Sequence, residues 1–256
     1  MLLVIDAGNT NTVFALFREH TLIGQWRMAT DTKRTADEYF VWLLQIMQFN
    51  HLNPEDIHAA IMSSVVPQVN FALKMLTWHY FHKELKVVGD ASLQLGIEIT
   101  IERPKDVGSD RLVNAIAGYE KYKTSLIIID FGTATTFDIV DAKGNYAGGI
   151  IAPGVNLSLH ALHQAAAKLP NIAVAKPERV IGTDTVSAMQ SGVYFGYVGL
   201  IEGIVSRIKA ETGVPMQVIA TGGLAPLFAK ATSVIDTLER DLTIEGLYLI
   251  HKRNSQ

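Results

Sequence analysis

One hairpin design is written twice in this chain. Residues Leu126-Ile-Ile-Ile-Asp-Phe-Gly-Thr-Ala-Thr-Thr-Phe-Asp138 carry an unbroken apolar run into Asp130, a glycine and hydroxyl-rich turn, and an apolar pattern resuming at Phe137 and Ile139. That reads as a buried strand, a tight turn and a second strand folding back antiparallel. The N-terminus reads Leu2-Leu-Val-Ile-Asp-Ala-Gly-Asn-Thr-Asn-Thr-Val-Phe14. A shift of 124 residues lays Leu2 on Leu126, Asp6 on Asp130, Gly8 on Gly132, Thr12 on Thr136 and Gly24 on Gly148. An internal repeat at close to half of 256 residues is what a duplicated domain produces. The expected organisation is two α/β domains, 1–114 and 115–256.

Each turn concentrates what a phosphate loop needs. The glycine lets backbone approach an anion, and the amides and hydroxyls of Thr133, Thr135 and Thr136 can donate to it. A carboxylate at the strand end can hold a metal.

Composition narrows the chemistry further. A net charge of -3 and a pI near 6.2, with no basic cluster, argue against a nucleic-acid surface. The absence of cysteine excludes disulfides, thiol catalysis, iron–sulfur clusters and cysteine-bound zinc, and fits a reducing compartment. The first apolar run stops at Asp6, too early for a signal peptide, and no apolar run reaches membrane-spanning length. A soluble, cytoplasmic protein is expected. His79-x-x-His82 and His160-x-x-His163 have helix-face spacing but no third ligand, so they read as packing or solvated histidines rather than a metal site.

In the first half, Val13–Phe17 and Ile23–Met28 continue the strand pattern. Thr35 and Glu38 form a capping-box signature opening a helix to about Phe49, with Phe40, Leu43, Leu44 and Met47 as its buried stripe. Ile57–Ser63 reads as another strand. The hydroxyls of Ser63 and Ser64 could line a cleft or simply end that strand before a helix carrying Phe71, Met75 and Trp78. Between the halves, Pro104-Lys-Asp-Val-Gly-Ser-Asp-Arg-Leu-Val-Asn114 enters a helix with Asp110 and Arg111 in its first turn. An acid there suits the helix N-terminus electrostatically, so a structural role competes with a catalytic one.

In the second half, Pro153-Gly154 leads into a helix through about Lys168. Thr183 or Asp184 caps a long helix to about Ala210. Its Gly192, Gly196, Gly199 and Gly203 share one face. Each costs ~1 kcal/mol relative to alanine, so the face is expected to pack closely against another helix, within the domain or across a dimer interface. A strand at Val218–Ala220 meets Thr221-Gly-Gly-Leu224, and Leu242–Ile250 closes the chain as a helix.

With these motifs in place, the chain resembles the type III pantothenate kinases from end to end. The matching pieces are Asp6-Ala-Gly-Asn-Thr10, Ser63-Ser-Val-Val-Pro67, Gly108-Ser-Asp-Arg111, Asp130-Phe-Gly-Thr-Ala-Thr135, Gly148-Gly-Ile-Ile-Ala-Pro-Gly154, Gly182-x-x-Thr185 and Thr221-Gly-Gly223. The two hairpins alone mark only the actin-like ATPase superfamily of sugar kinases, Hsp70 and actin. That resemblance implies two RNase H-like domains with ATP gripped in the cleft between them.

The Gly-x-Asp-Arg and Gly-x-x-Thr elements point to the family itself. The resemblance implies transfer of phosphate from ATP to pantothenate, the first step toward coenzyme A. It makes Asp110 the base. ATP would be held by Asp6, Ala7, Gly8, Asn9, Thr10, Asn11, Thr12 and Val13, by Thr133, and by Gly222 and Gly223. Pantothenate would be held by Gly108, Ser109, Asp110, Arg111 and Thr185. Asp6 would serve the Mg²⁺–ATP, and Asp130 a K⁺ or NH₄⁺ ion. A homodimer is also implied.

Two departures stand out. Asp184 replaces a common asparagine beside Thr185, and Ile99 and Ile101 stand where many members carry a tyrosine. Two rival readings share the fold: a non-catalytic nucleotide-binding regulator, and a kinase or phosphatase acting on another small substrate.

Overall fold

The computed structural model describes residues 1–166 and 168–255. They group into two α/β units. One comprises Met1–Gly96, Lys105–Ala117 and Leu242–Gln256, and the other Ile97–Pro104 and Gly118–Asp241. The C-terminal helix therefore belongs with the first unit.

In the first unit a five-stranded sheet has the order β3 (Thr21–Ala29), β2 (Asn11–Arg18), β1 (Leu2–Ala7), β4 (Ala59–Ser64), β5 (Leu85–Val87). β1 runs antiparallel to β2 and parallel to β4, which explains its near-continuous apolar run, since a central strand is buried on both faces. Helices α1 (Ala36–Phe49) and α2 (Pro67–Phe81) close one core around Leu3, Ile5, Phe14, Tyr39, Leu43 and Leu73. The capping box of α1 forms, with Thr35 Oγ1 accepting from the Glu38 amide and Glu38 Oε2 accepting from the Thr35 amide at 2.7 Å.

Helix α3 (Ser109–Tyr122) follows a short 3₁₀ turn at Pro104–Asp106. Later in the chain, α7 (Leu242–Arg253) packs on β1 and β4. It meets α3 so closely that a Cβ on Gly246 would lie 2.3 Å from the Val113 carbonyl oxygen. The buried Asn114 accepts from Thr243 Oγ1 at 2.7 Å in the same contact.

The second unit repeats the sheet. Its order is β10 (Thr237–Leu238), β9 (Gln217–Thr221), β6 (Leu126–Phe131), β7 (Ala134–Val140), β8 (Tyr146–Pro153), strand for strand the first unit's arrangement. Helices α4 (Val155–Ala165), α5 (Thr185–Thr212) and α6 (Ala225–Phe228) accompany it, with Ile127, Ile129, Phe137, Tyr194, Ile201 and Phe228 in the core. Both units have the RNase H-like topology, and the chain has the fold of the actin-like ATPases.

Several expectations change. The register pairs Ala7 with Thr12 but Phe131 with Thr135. The second turn is one residue shorter, so the counterpart of Thr12 is Thr135, not Thr136. Gly24 and Gly148 do correspond: they pair with Leu16 and Ile139, each beside a register shift at the same place in its hairpin.

The buried stripe of α1 is Tyr39, Leu43 and Met47. On α2, Val69, Leu73 and Leu76 face inward, while Phe71 is 73% and Trp78 59% exposed. Helix α4 ends at Ala165 rather than near Lys168, and residue 167 of that expected extension lies outside the described residues.

Three of the four glycines on α5 are exposed, and a Cβ on Gly192, Gly196 or Gly199 would meet nothing within 4 Å, so no helix of this chain covers that face among the described residues. Histidines of the two spaced pairs take local roles. His82 is the left-handed C-cap of α2, and His163 Nδ1 lies 2.6 Å from the Leu169 carbonyl oxygen.

Candidate active site

In the first unit, Asp6 stands at the end of β1, in register with Ser63 on β4 and Val13 on β2. The β1–β2 turn closes with Gly8 N donating to Asn11 O at 3.0 Å, leaving Asn9, Thr10 and Asn11 exposed. It is tied from behind: buried Thr12 Oγ1 lies 2.9 Å from Thr30 Oγ1, which donates to the Gly8 carbonyl at 2.6 Å. Ala7 is buried and Val13 half-buried, so these two support the loop more than they present groups from it.

The start of α3 is pinned beside that strand end. Ser109 Oγ is 2.9 Å from Ser63 Oγ, and it lies 3.1 Å from the Ser64 amide and 3.2 Å from the Ser64 carbonyl oxygen. Ser64 Oγ accepts from the Val66 amide at 3.2 Å as the chain turns into α2. Both serines therefore organise the strand end, and they bring Asp6 and the Gly108–Arg111 turn together on one unit.

Asp110 folds back over its own turn, its Oδ1 accepting from the Arg111 amide at 2.8 Å. A side chain at position 108 would obstruct this, because a Cβ there would lie 2.6 Å from Asp110 Oδ1. Burial pushes the Asp110 carboxyl above the ordinary carboxylate range, opposed by the Arg111 amide and guanidinium. A half-buried carboxylate with raised proton affinity is what a general base needs near neutral pH.

In the second unit, Asp130 pairs with Thr136 on β7 and Thr221 on β9. The chain leaves β9 through Gly222, whose φ is +93 and whose added Cβ would lie 2.6 Å from Asp130 Oδ1 and 2.7 Å from the Phe131 nitrogen and oxygen. Only glycine lets this backbone lie against the carboxylate. Asp130, Gly222 and exposed Gly223 thus share one corner. The β6–β7 turn presents exposed Thr133 and is closed by Gly132 N donating to Ala134 O at 3.0 Å.

Thr185 opens α5. Asp184 is its N-cap: Oδ1 accepts from the Val186 and Ser187 amides at 2.9 and 3.0 Å, and Oδ2 from Ser187 Oγ at 2.6 Å. These bonds, Ser187 first, hold the Asp184 carboxyl below its ordinary range. The carboxylate beside Thr185 is thus engaged by its own helix. Of the other departure, Ile99 bridges to Tyr146 on β8, and Ile101 Cγ2 is 3.9 Å from the place of a Cβ on Gly148.

Among the described residues no cluster of three or more His, Asp or Glu side chains could enclose a metal ion. No helix among the described residues is long and apolar enough to cross a membrane.

The model of one family, type III pantothenate kinase, matches residues 2–207. A type III pantothenate kinase of Paramagnetospirillum magneticum is 61% identical over 255 residues, covering 100% of this chain and 98% of that protein. Another, from Rhodospirillum rubrum, is 60% identical over 254 residues, covering 99% of each. The chain belongs to the type III pantothenate kinase family. Component A of (R)-2-hydroxyglutaryl-CoA dehydratase from Acidaminococcus fermentans shares the fold at a TM-score of 0.57 and 12% identity, covering 100% of this chain and 99% of that one.

Two residues that shape the loops of this family member lie outside its motifs. Thr30 holds both Thr12 and Gly8, and the repeat could have flagged it, since Gly154 lies 124 residues on. Buried Asp138 accepts from Tyr146 Oη at 2.8 Å and from Thr136 Oγ1 at 3.1 Å. Its counterpart in the first hairpin is Ala15, so the repeat carried no signal for it.

Proposed function

We propose that this chain transfers the γ-phosphoryl group of ATP to the primary hydroxyl of pantothenate, forming 4′-phosphopantothenate on the way to coenzyme A. Family membership supports the reaction class. The observation that carries the mechanism is Asp110, a half-buried carboxylate of raised proton affinity in the first turn of α3, beside the strand end that bears Asp6.

Phosphoryl transfer demands positioning and charge neutralisation more than covalent chemistry. In this reading Asp110, ionised, takes the proton of the attacking hydroxyl, while Gly108, Ser109, Arg111 and Thr185 hold pantothenate. The loop Asp6–Val13, with Thr133, Gly222 and Gly223, holds ATP. Mg²⁺, when bound beside Asp6, neutralises phosphate charge. The corner at Asp130, where Gly222 lets backbone lie against the carboxylate, would take K⁺ or NH₄⁺. The exposed glycine face of α5 would form a homodimer contact in the cytoplasm, which light scattering at micromolar concentration tests.

A non-catalytic regulatory role is the second reading, and Asp110 with its built surroundings argues against it. Measuring ADP release with and without pantothenate, in K⁺ and in Na⁺ at equal ionic strength, separates the two. Release that requires pantothenate and is faster in K⁺ is expected. Release indifferent to pantothenate, or none at all, would overturn the assignment.

A further inference from the structure

We infer that a hollow at the other end of the first unit's sheet binds a small organic acid, with its anionic group between two histidines and its apolar body on an aromatic floor. The hollow is about 290 Å³ and is lined by Leu2, Phe17, Glu19, His58, Tyr248, His251, Lys252 and Ser255. Leu2, Phe17 and His58 lie where β1 begins, β2 ends and β4 is about to start. Asp6 and Ser63 occupy the opposite ends of those strands, roughly 13 Å away at four residues' rise, so the hollow is not part of the kinase site.

The floor is built and apolar. Leu2 and Phe17 are buried, and the Phe17 ring stacks on Tyr248 at 4.7 Å with an interplanar angle of 21°. Tyr248 is fixed from outside by His20 Nδ1. Tyr248, His251 and Lys252 follow the spacing of one helical face, so the end of α7, with Ser255 just beyond it, forms a continuous wall.

The walls hold three basic side chains, His58, His251 and Lys252, against the carboxylate of Glu19. His58 is affected by the N-terminal ammonium and Lys83, and His251 by Lys86 and by His58 itself; burial, then these charges, lowers both imidazoles below their ordinary range. Lys86 Nζ donates to the Asn254 carbonyl at 3.3 Å, and Lys252 lines the hollow. The opposing acids are Glu19 on the rim and Asp56, which acts on the N-terminal ammonium. An anion between the imidazoles would relieve their mutual repulsion and raise both proton affinities. By linkage it would bind more tightly as pH falls through the histidine range.

Size restricts the ligand. A volume near the lower end of ligand pockets, about 300–1,000 Å³, admits a benzoate-sized acid but not a nucleotide. Benzoate is therefore the probe, with benzyl alcohol as the uncharged body and inorganic phosphate as the anion without a body.

The experiment follows the ring signals of His58 and His251 by NMR in the full chain. Benzoate at roughly millimolar concentration should raise the pKa of both histidines, benzyl alcohol should move neither, and phosphate should bind at least about tenfold more weakly. His251→Gln should abolish the benzoate response of His58 while leaving ADP production within about twofold of the parent, since it touches none of the kinase groups. No movement of either histidine in benzoate, an equal response to phosphate, or an unchanged His58 response in the variant would each overturn the proposal.

Discussion

The two hairpins end in the same carboxylate on the same kind of sheet, yet their turns are built differently. The first spans one residue more, and its loop is moored by side chains: Thr12 to Thr30, and Thr30 to the Gly8 carbonyl. The second is drawn tight against backbone. The position equivalent to Thr30 is Gly154, where a Cβ would lie 2.1 Å from the Thr133 carbonyl oxygen and 2.8 Å from that of Gly132. Shortening removed the space for a threonine and its hydrogen bond. The buried Thr135 Oγ1, counterpart of Thr12, is left without a hydrogen-bond partner among the described residues. Duplication thus preserved the strand and the acid while the loop adapted: a wider, exposed loop in one unit, and a compact one beside Gly222 in the other.

The carboxylates give the largest test of that comparison. Asp6→Asn and Asp130→Asn should each reduce turnover by roughly 10²–10³-fold without unfolding the chain. They should differ in one respect. Asp130→Asn should also erase the difference between K⁺ and Na⁺, whereas Asp6→Asn should keep it. Near-normal turnover in either variant would remove that hairpin from the phosphate site, and loss of cation dependence in both would erase the proposed distinction.

Gly154→Ala comes next. Its methyl meets backbone rather than a movable side chain, so thermal melting should report a loss of about 1–3 kcal/mol. Thr30→Ala, which only frees the first loop's mooring, should cost about 1 kcal/mol. A harmless Gly154→Ala would show that the second turn is not cinched as described.

The smallest contrast lies in the buried threonines. Thr12→Val should cost about 1 kcal/mol in urea unfolding, while Thr135→Val should be neutral or stabilising, because its hydroxyl is buried with no partner among the described residues. Equal losses at both positions would mean that Thr135 has acquired a partner, such as an ordered water.

What could be read from the sequence follows the same division. Strand periodicity, the capping box at Thr35 and the Asp–Gly spacing are local signals, and they located both sheets' central hairpins. The slip from Thr136 to Thr135 was invisible, because an ungapped shift cannot register a turn shortened by one residue. On α2, Phe71 and Trp78 have helical spacing but face outward, since the smaller Val69, Leu73 and Leu76 fit against the sheet. Ser63 and Ser109 are 46 residues apart, so their pairing, which sets the start of α3, depends on tertiary structure alone.

Asp110 bears the central claim, and kinetics of Asp110→Asn test it most directly. Asparagine retains the size and much of the hydrogen bonding but cannot take the hydroxyl proton. The variant should lose roughly 10²–10⁴ in kcat, still bind ATP, and melt within a few degrees of the parent, since a helix-terminal acid contributes only ~0.3–1 kcal/mol. In the parent, the ionised form is the working one and its proton affinity is raised. Activity should therefore fall as pH decreases, along an acid limb lying above the ordinary aspartate value of about 3.9. A variant that unfolds would assign Asp110 to structure, and one that turns over normally would contradict its role as the base.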